Sequence, residues 1–385
     1  MKYRRFGDLD WKASALGFGC MRFPTFDGDR SNIDEPKAIE MLHYAIDHGV
    51  NYLDTAYPYH GGNSEILVGK ALKGGYRDKV RLATKLPMWA VEGTGDFERY
   101  LNEQLEKLQV EHIDFYLFHG LRESRWAKVE EFDLLAEAED ALADGRIGHL
   151  GFSFHDDYEM FKEIVDSFDW TFCQIQHNFM DIDYQAGRKG LRYAASEGMA
   201  VVIMEPLLGG RLANPPDPVQ AIWDEADADR SAVEWALQWL WNQPEVSVVL
   251  SGMSTLEHVK ENVASADRSG AGALTEEELA LFDRVREQYE ELSPIPCTDC
   301  GYCMPCPTGL DIPKNFSIYN EGIMYDMLER ARDRYENLSE GQRANHCIDC
   351  GGCQEQCPQD IPISEWMAVV HRTLGEGEPP VHELP

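Results

Sequence analysis

Residues 51–59 read Asn51-Tyr52-Leu53-Asp54-Thr55-Ala56-Tyr57-Pro58-Tyr59. A short, mostly apolar run, Tyr52–Ala56, carries an aspartate near its end and gives way to a turn at Pro58. Seven more runs of this form follow or precede it: Ala15–Met21, Val80–Lys85, Ile113–Phe118, Ile147–Ser153, Phe172–Gln176, Ala200–Met204 and Val246–Leu250. Amphipathic stretches such as Asp96–Leu108 and Lys128–Ala143 lie between them. Strands buried on both faces read as continuous apolar runs. Alternating with helices eight times over about 250 residues, they predict a (β/α)8 TIM barrel, an α/β fold. A doubly wound sheet shares the alternation, but no Gly-x-Gly-x-x-Gly follows the first run. Ahead of that run, Tyr3–Phe6 and Trp11–Ser14 flank Gly7-Asp8-Leu9-Asp10 and read as an N-terminal β-hairpin placed to plug the barrel.

The ends of the predicted strands carry the chemistry. The second ends on Asp54, with Tyr59 five residues on; the third, Leu82-Ala83-Thr84-Lys85, ends on a lysine; the fourth, Ile113-Asp114-Phe115-Tyr116-Leu117-Phe118-His119, ends on a histidine. Barrel active sites are built at these C-terminal ends. Any one of these residues alone is more often a satisfied polar group, but four in order at strand ends are not.

The last quarter is different. Of ten cysteines, Cys20 and Cys173 stand alone and eight lie between positions 297 and 357. One motif is Cys297-x2-Cys300-x2-Cys303-x2-Cys306-Pro307, the other Cys347-x2-Cys350-x2-Cys353-x3-Cys357-Pro358. The second has the bacterial ferredoxin spacing, in which three close thiolates hold one cubane and the fourth reaches the other. Zinc sites pair two Cys-x2-Cys units across a gap instead. The spacing predicts two [4Fe–4S] clusters. By analogy with ferredoxins, one takes Cys297, Cys300, Cys303 and Cys357, the other Cys347, Cys350, Cys353 and Cys306. The first motif is one residue short before Cys306, so that closure stays open. The helix-like Ile318–Leu338 between the motifs resembles the linker of α-helical ferredoxin domains.

The net charge of −33 argues against nucleic acid and anionic membranes as partners, both of which would be repelled. No apolar run is long enough to span a membrane, and the start, Met1–Asp8, lacks a secretion signal's apolar stretch. The chain is expected in the cytoplasm.

The barrel half resembles the aldo/keto reductase family, on the residues above together with Gly151-Phe152-Ser153, Gln174-Ile175-Gln176-His177-Asn178 and Glu261-Asn262. With its tail, of which CTDCGYCMPCPTGLDIP is characteristic, the chain resembles the branch fused to a C-terminal 4Fe–4S domain. The resemblance implies Tyr59 as general acid, Lys85 lowering its pKa, Asp54 holding Lys85 charged, and His119 orienting the carbonyl oxygen. Tyr57 competes for the acid's place. The resemblance also implies NAD(P)H, with contacts from Gly19, Cys20, Ser153, Gln174, Met204, Leu207, Glu261 and Asn262. Phe154 stands where the family has an asparagine, and Met204 where it stacks an aromatic ring. Ser251-Gly252-Met253-Ser254 lacks the lysine that clasps a 2′-phosphate, and His258 replaces an arginine. A 2′-phosphate wants Arg or Lys, so NADH is favoured over NADPH. Arg211 is a candidate to supply charge, and Glu205 to act as acid, base or cap.

Residues 1–272 are expected to form the barrel, 273–293 a connecting helix, 294–372 the two-cluster domain and 373–385 a mobile tail. The expected protein is an iron–sulfur oxidoreductase acting on a carbonyl-type small molecule, linked to a ferredoxin or flavoprotein partner. Hydride and single-electron transfer need a converter, so a flavin is possible. The alternatives are a nicotinamide-independent, cluster-driven reductase and a non-catalytic electron carrier with a vestigial barrel.

Overall fold

The computed structural model describes residues 1–384. A closed barrel of eight parallel strands is formed by β3 (Leu16–Gly19), β4 (Tyr52–Asp54), β5 (Arg81–Leu86), β6 (Ile113–Leu121), β7 (Ile147–Phe154), β8 (Phe172–Gln176), β9 (Ala200–Met204) and β10 (Val246–Ser251), with β10 closing on β3. All eight lie on the apolar runs. Each is nearly or wholly buried, because helices cover the outside and side chains fill the inside.

The hairpin pairs β1 (Tyr3–Arg5) with β2 (Lys12–Ser14). Its turn drives the Phe6 ring into the barrel end, 4.7 Å from Phe115, 5.7 Å from Phe172 and 5.8 Å from Tyr52. Gly7 makes this possible. It sits at φ 55°, and a Cβ there would lie 2.5 Å from the carbonyl oxygen of Gly198. Gly7→Ala is expected to cost about 1–3 kcal/mol in urea unfolding, through left-handed strain and overpacking.

The helices following the strands are α1 (Glu35–Asp47), α2 (Asn63–Ala71), α3 (Asp96–Leu108), α4 (Glu123–Glu131), α5 (Leu134–Ala143), α6 (Tyr158–Ser167), α7 (Gly187–Ser196), α8 (Asp217–Trp223), α9 (Ala232–Trp241) and α10 (Leu256–Asp267). The single helix expected over 128–143 is broken: Asp133 adopts φ 52° between α4 and α5. Aspartate tolerates that conformation better than most residues, and amphipathic periodicity does not register it.

Further on come α11 (Glu276–Glu291), α12 (Ile312–Met324), α13 (Leu328–Glu336) and α14 (Ile363–Gly375). The helix expected over 318–338 is likewise two, parted at Asp326 with φ 50°. Helices α12, α13 and α14 share a core of Phe316, Tyr319, Tyr335, Trp366 and Met367.

The chain forms two compact units, Met1–Gly209 with Val233–Thr275, and Gly210–Ala232 with Glu276 onward. The division differs from the linear boundaries. Residues 210–232, between β9 and α9, belong with the cluster-motif unit. Trp223 meets Phe282 ring to ring at 5.0 Å, and Glu225 pairs with Arg284 at 2.6 Å. The helix expected as a connector is therefore a packed member of that unit. The boundary at 372 falls inside α14, and beyond it Val381 exchanges two 2.9 Å hydrogen bonds with the Tyr319 hydroxyl. None of the described helices is long and apolar enough to cross a membrane.

Candidate active site and cluster-binding loops

Lys85 ends its inward-facing run on β5 wholly buried. Its Nζ donates to Asp54 Oδ1 on β4 at 2.7 Å and to the Thr55 carbonyl at 2.7 Å. The Tyr59 hydroxyl stands 3.5 Å away, and the ammonium lies 5.1 Å from that ring's centroid. The His119 ring meets Tyr59 edge-on at 6.3 Å. The four strand-end residues are thus brought into one cluster.

Its electrostatics are set by burial. Burial raises the Asp54 carboxyl, with Lys85 opposing. Burial would lower the Lys85 ammonium, but Asp54 and Tyr59 outweigh it and the net shift is upward. Tyr59 departs from expectation: burial raises the phenol above its ordinary value although Lys85 pulls it down. The reason is geometric, since Lys85 spends its short bonds on Asp54 and Thr55. His119 is held neutral, pushed well below the usual range by burial, then by Lys85 and Arg125. Its Nδ1 and the second oxygen of Asp54 are buried without partners.

A polar layer behind β5 fixes Lys85 in place. Buried Glu65 on α2 accepts from Thr84 Oγ1 and Gln104 Nε2, each at 2.6 Å, and Gln104 also donates to the Lys85 carbonyl at 3.0 Å. Tyr57 is drawn away from the site. Its hydroxyl donates to Glu103 Oε1 at 3.0 Å, and the phenol is pushed up to about 12 by burial and then by Glu103.

Two residues that periodicity did not single out lie near this cluster. Trp89, in the turn after β5 and 44% exposed, lies edge-on 5.2 Å from His119. Arg125, on α4, donates to the Gly120 carbonyl at 2.6 Å. Trp89 falls in a short turn, where composition carries no signal of direction, and Arg125 in the first turn of α4.

In the cluster-motif unit the two loops repeat one backbone. Asp299 and Gly301 have φ 54° and 72°; Asp349 and Gly351 have 50° and 72°. Each Cys-x-Asp-Cys-Gly-x-Cys turn thus takes the same two left-handed residues. Cys297, Cys300, Cys303 and Cys357 line one small cavity, with Phe316 and Ile361 among its walls. The Cys353 thiol is raised by burial and by Cys347, Cys350 and Cys306 around it. The structure thus gathers three thiols of the first motif with the last of the second around one cavity, and Cys306 is among the groups that act on Cys353. Among the described residues no group of His, Cys, Asp or Glu converges as the ligands of a single ion would. A ring of thiols around an apolar-walled cavity fits a cubane.

Residues 15–287 match the model of the aldo/keto reductase family. The chain belongs to the aldo/keto reductase family. Residues 296–362 match a 4Fe–4S dicluster domain. A Bacillus subtilis relative, the uncharacterized oxidoreductase YqkF, is 28% identical over 320 residues, which is 75% of this chain and 97% of its own. The aldo-keto reductase AKR11C1 from Bacillus halodurans, solved in its holo form, is 27% identical with a TM-score of 0.62, over 74% of this chain and 96% of its own. An aldo-keto reductase from Klebsiella pneumoniae, solved in complex with NADPH, is 25% identical with a TM-score of 0.60, over 74% and 95%. This protein is an aldo/keto reductase-type oxidoreductase with an iron–sulfur domain.

The remaining expected contacts of this reductase are distributed as follows. Gln174 Oε1 is buried without a partner, while Ser153 Oγ accepts from the Gly120 amide at 2.7 Å and keeps its own proton. One free acceptor and one free donor fit a carboxamide. Phe154 packs outward, on Phe161 at 5.1 Å, so nothing replaces the missing asparagine. Gly19, Met204 and Leu207 are half-buried, Glu261 is exposed, and buried Asn262 donates to Ser251 Oγ at 3.0 Å. Cys20 is wholly buried, and burial, then Asp54, raises its thiol far above the usual range. Arg211 pairs with Glu321 at 2.6 Å within the cluster-motif unit, so its charge is already matched. Glu205 is exposed, at φ 54°. Arg22, from the loop after β3, lies across Gly252, where a Cβ would come within 3.0 Å of it. The loop after β10 thus has a cation beside it that its own sequence lacks.

Proposed function

We propose that the protein reduces a carbonyl-type small molecule, with Tyr59 as general acid, and exchanges electrons with a redox partner through two [4Fe–4S] clusters. The observation that carries this reading is the buried Lys85 ammonium, 2.7 Å from Asp54 and 3.5 Å from the Tyr59 hydroxyl. When bound, a nicotinamide supplies a hydride and the clusters supply single electrons. The chain's residues do the rest. Neutral His119 donates to the carbonyl oxygen and orients it. Tyr59 gives that oxygen its proton as negative charge develops there, and Lys85 stabilises the phenolate left behind. Ser153 and Gln174 hold the carboxamide, and Glu261 is available to the adenine. NADH remains favoured over NADPH, with Arg22 a cation beside the loop after β10.

Cys297, Cys300, Cys303 and Cys357 would hold one cluster, and Cys347, Cys350, Cys353 and Cys306 the other; the cavity lined by the first four supports this reading. The stretches 297–313 and 347–362 contain no Lys or Arg and expose Tyr302 (68%) and Ile348 (64%). A ferredoxin or flavoprotein partner is expected to meet them, in the cytoplasm, where thiols stay reduced.

Anaerobic purification with iron analysis, EPR and small-molecule analysis tests the cofactors. About eight irons per chain are expected, as two cubanes require; a bound flavin would name the converter. Cys357→Ser is expected to lose about half the iron and the signal of one cluster, leaving the other. Loss of neither would overturn the assignment. Oxidation of NADH by carbonyl compounds tests the barrel chemistry. Reduction with viologen but never with nicotinamides would favour the cluster-driven alternative, which the outward-facing Phe154 and the half-buried Met204 support.

A further inference from the structure

The chain has 68 acidic residues against 35 basic ones, so an arginine readily finds a carboxylate. Arg77 and Arg81 both pair with Asp114, Arg146 with Glu98 and Asp144, Arg268 with Glu234. Arg125 pairs with none. Its Nη1 is anchored on backbone, 2.6 Å from the Gly120 carbonyl and 3.3 Å from that of His119. Nε and Nη2 have no hydrogen-bond partner among the described residues. The group is half-buried. A desolvated guanidinium without a counter-charge is costly.

Its surroundings show what the charge faces. The guanidinium carbon stands 5.8 Å from the Trp89 ring; Trp89 is 5.2 Å from His119, and His119 is 6.3 Å from Tyr59. Two rings, Trp89 and His119, therefore stand between Arg125 and the proton donor. At φ 63° Gly120 carries no side chain, and a Cβ there would come 2.5 Å from Arg125 Nη1 and 3.7 Å from His155 Cδ2. Glycine keeps these two nitrogen-bearing groups side by side. Arg122, exposed at the start of the same helix, adds a second cation. Glu205 is the acid that acts on His155.

We propose that Arg125, flanked by His155, binds a carboxylate carried by the substrate, so that the compound presented to Tyr59 is an anionic oxo or aldehyde acid lying along Trp89. The proposal rests on the carbonyl-reductase reading and deepens it. No new redox step is involved, because the anion is bound and released unchanged.

The test compares two probes of nearly one shape, 4-formylbenzoate and its methyl ester, binding to the iron-loaded full-length protein, followed by calorimetry and tryptophan fluorescence. A charge-assisted hydrogen bond to a carboxylate corresponds to about tenfold or more in affinity. The acid is expected to bind at least about tenfold tighter than the ester. Arg125→Gln is expected to abolish that difference while leaving ester binding unchanged, and Arg125→Lys to restore part of it. Equal binding of acid and ester to the unaltered protein would overturn the proposal without any variant. So would a preference that survives Arg125→Gln. Turnover separates the two readings. Selective binding of the acid with no reduction of either probe would sink the reductase reading alone. Reduction of both with equal binding would sink this one alone.

Discussion

Lys85→Met is expected to destabilise the barrel by about 3–5 kcal/mol, the usual cost of removing one partner from a buried ion pair. The side chain it removes is wholly buried and makes 2.7 Å bonds to Asp54 and Thr55. Asp54 would be left with both oxygens unmatched, one of which already lacks a partner. Burial raises the Asp54 carboxyl even with Lys85 present, so without the ammonium it rises further. The folded variant then binds a proton that the unfolded chain has released, and its stability falls as pH increases between those two pKa values. Urea unfolding at pH 5 and pH 8 is expected to show the larger deficit at pH 8. The double variant Lys85→Met/Asp54→Asn should recover part of the loss. A single variant as stable as the parent at both pH values would remove the ion pair from the account of how this site is held together.

Tyr59→Phe is expected to lower kcat by about 10²–10⁴, the range for removing a general acid, with little effect on melting temperature. The separation follows from geometry. The Tyr59 hydroxyl has one long contact, at 3.5 Å, so it adds little to the fold. The pH profile carries a second signature. A proton donor must be protonated, and burial keeps the phenol above its ordinary value of about 10. Activity should therefore hold through neutral pH and fall only at strongly alkaline pH. No acidic limb near the usual histidine value is expected, because burial and Lys85 keep His119 neutral. Retained turnover in Tyr59→Phe would move the proton donor elsewhere, and the alkaline limb would then not depend on residue 59.

Much of the fold was legible because burial on both faces leaves an unbroken apolar signature in each strand. The eight runs became β3 to β10, and the Phe6 hairpin docked as expected. The two failures in helix reading share one cause. Asp133 and Asp326 take left-handed conformations that part α4 from α5 and α12 from α13, and hydrophobic periodicity runs straight through a single such residue. In the site, Asp54, Lys85 and His119 were visible because strand ends are numbered by the pattern itself. Trp89 and Arg125 were not, because the direction of a side chain in a turn or at a helix start depends on what packs beneath it.

The spacing of the cysteines, the order of the strand-end residues and the count of apolar runs belong to the sequence alone, since each is a local property of the chain. Three things were decided only by tertiary structure. Residues 210–232 leave the barrel unit for the cluster-motif unit, because Trp223 and Glu225 find Phe282 and Arg284 there. Cys357, which analogy alone sets beside Cys297, Cys300 and Cys303, lines their cavity because folding brings it close across more than fifty residues. The Tyr59 phenol is raised rather than lowered, because its desolvation exceeds what Lys85 can return from 3.5 Å. Each depends on contacts between distant segments, and such contacts exist only once the chain has packed.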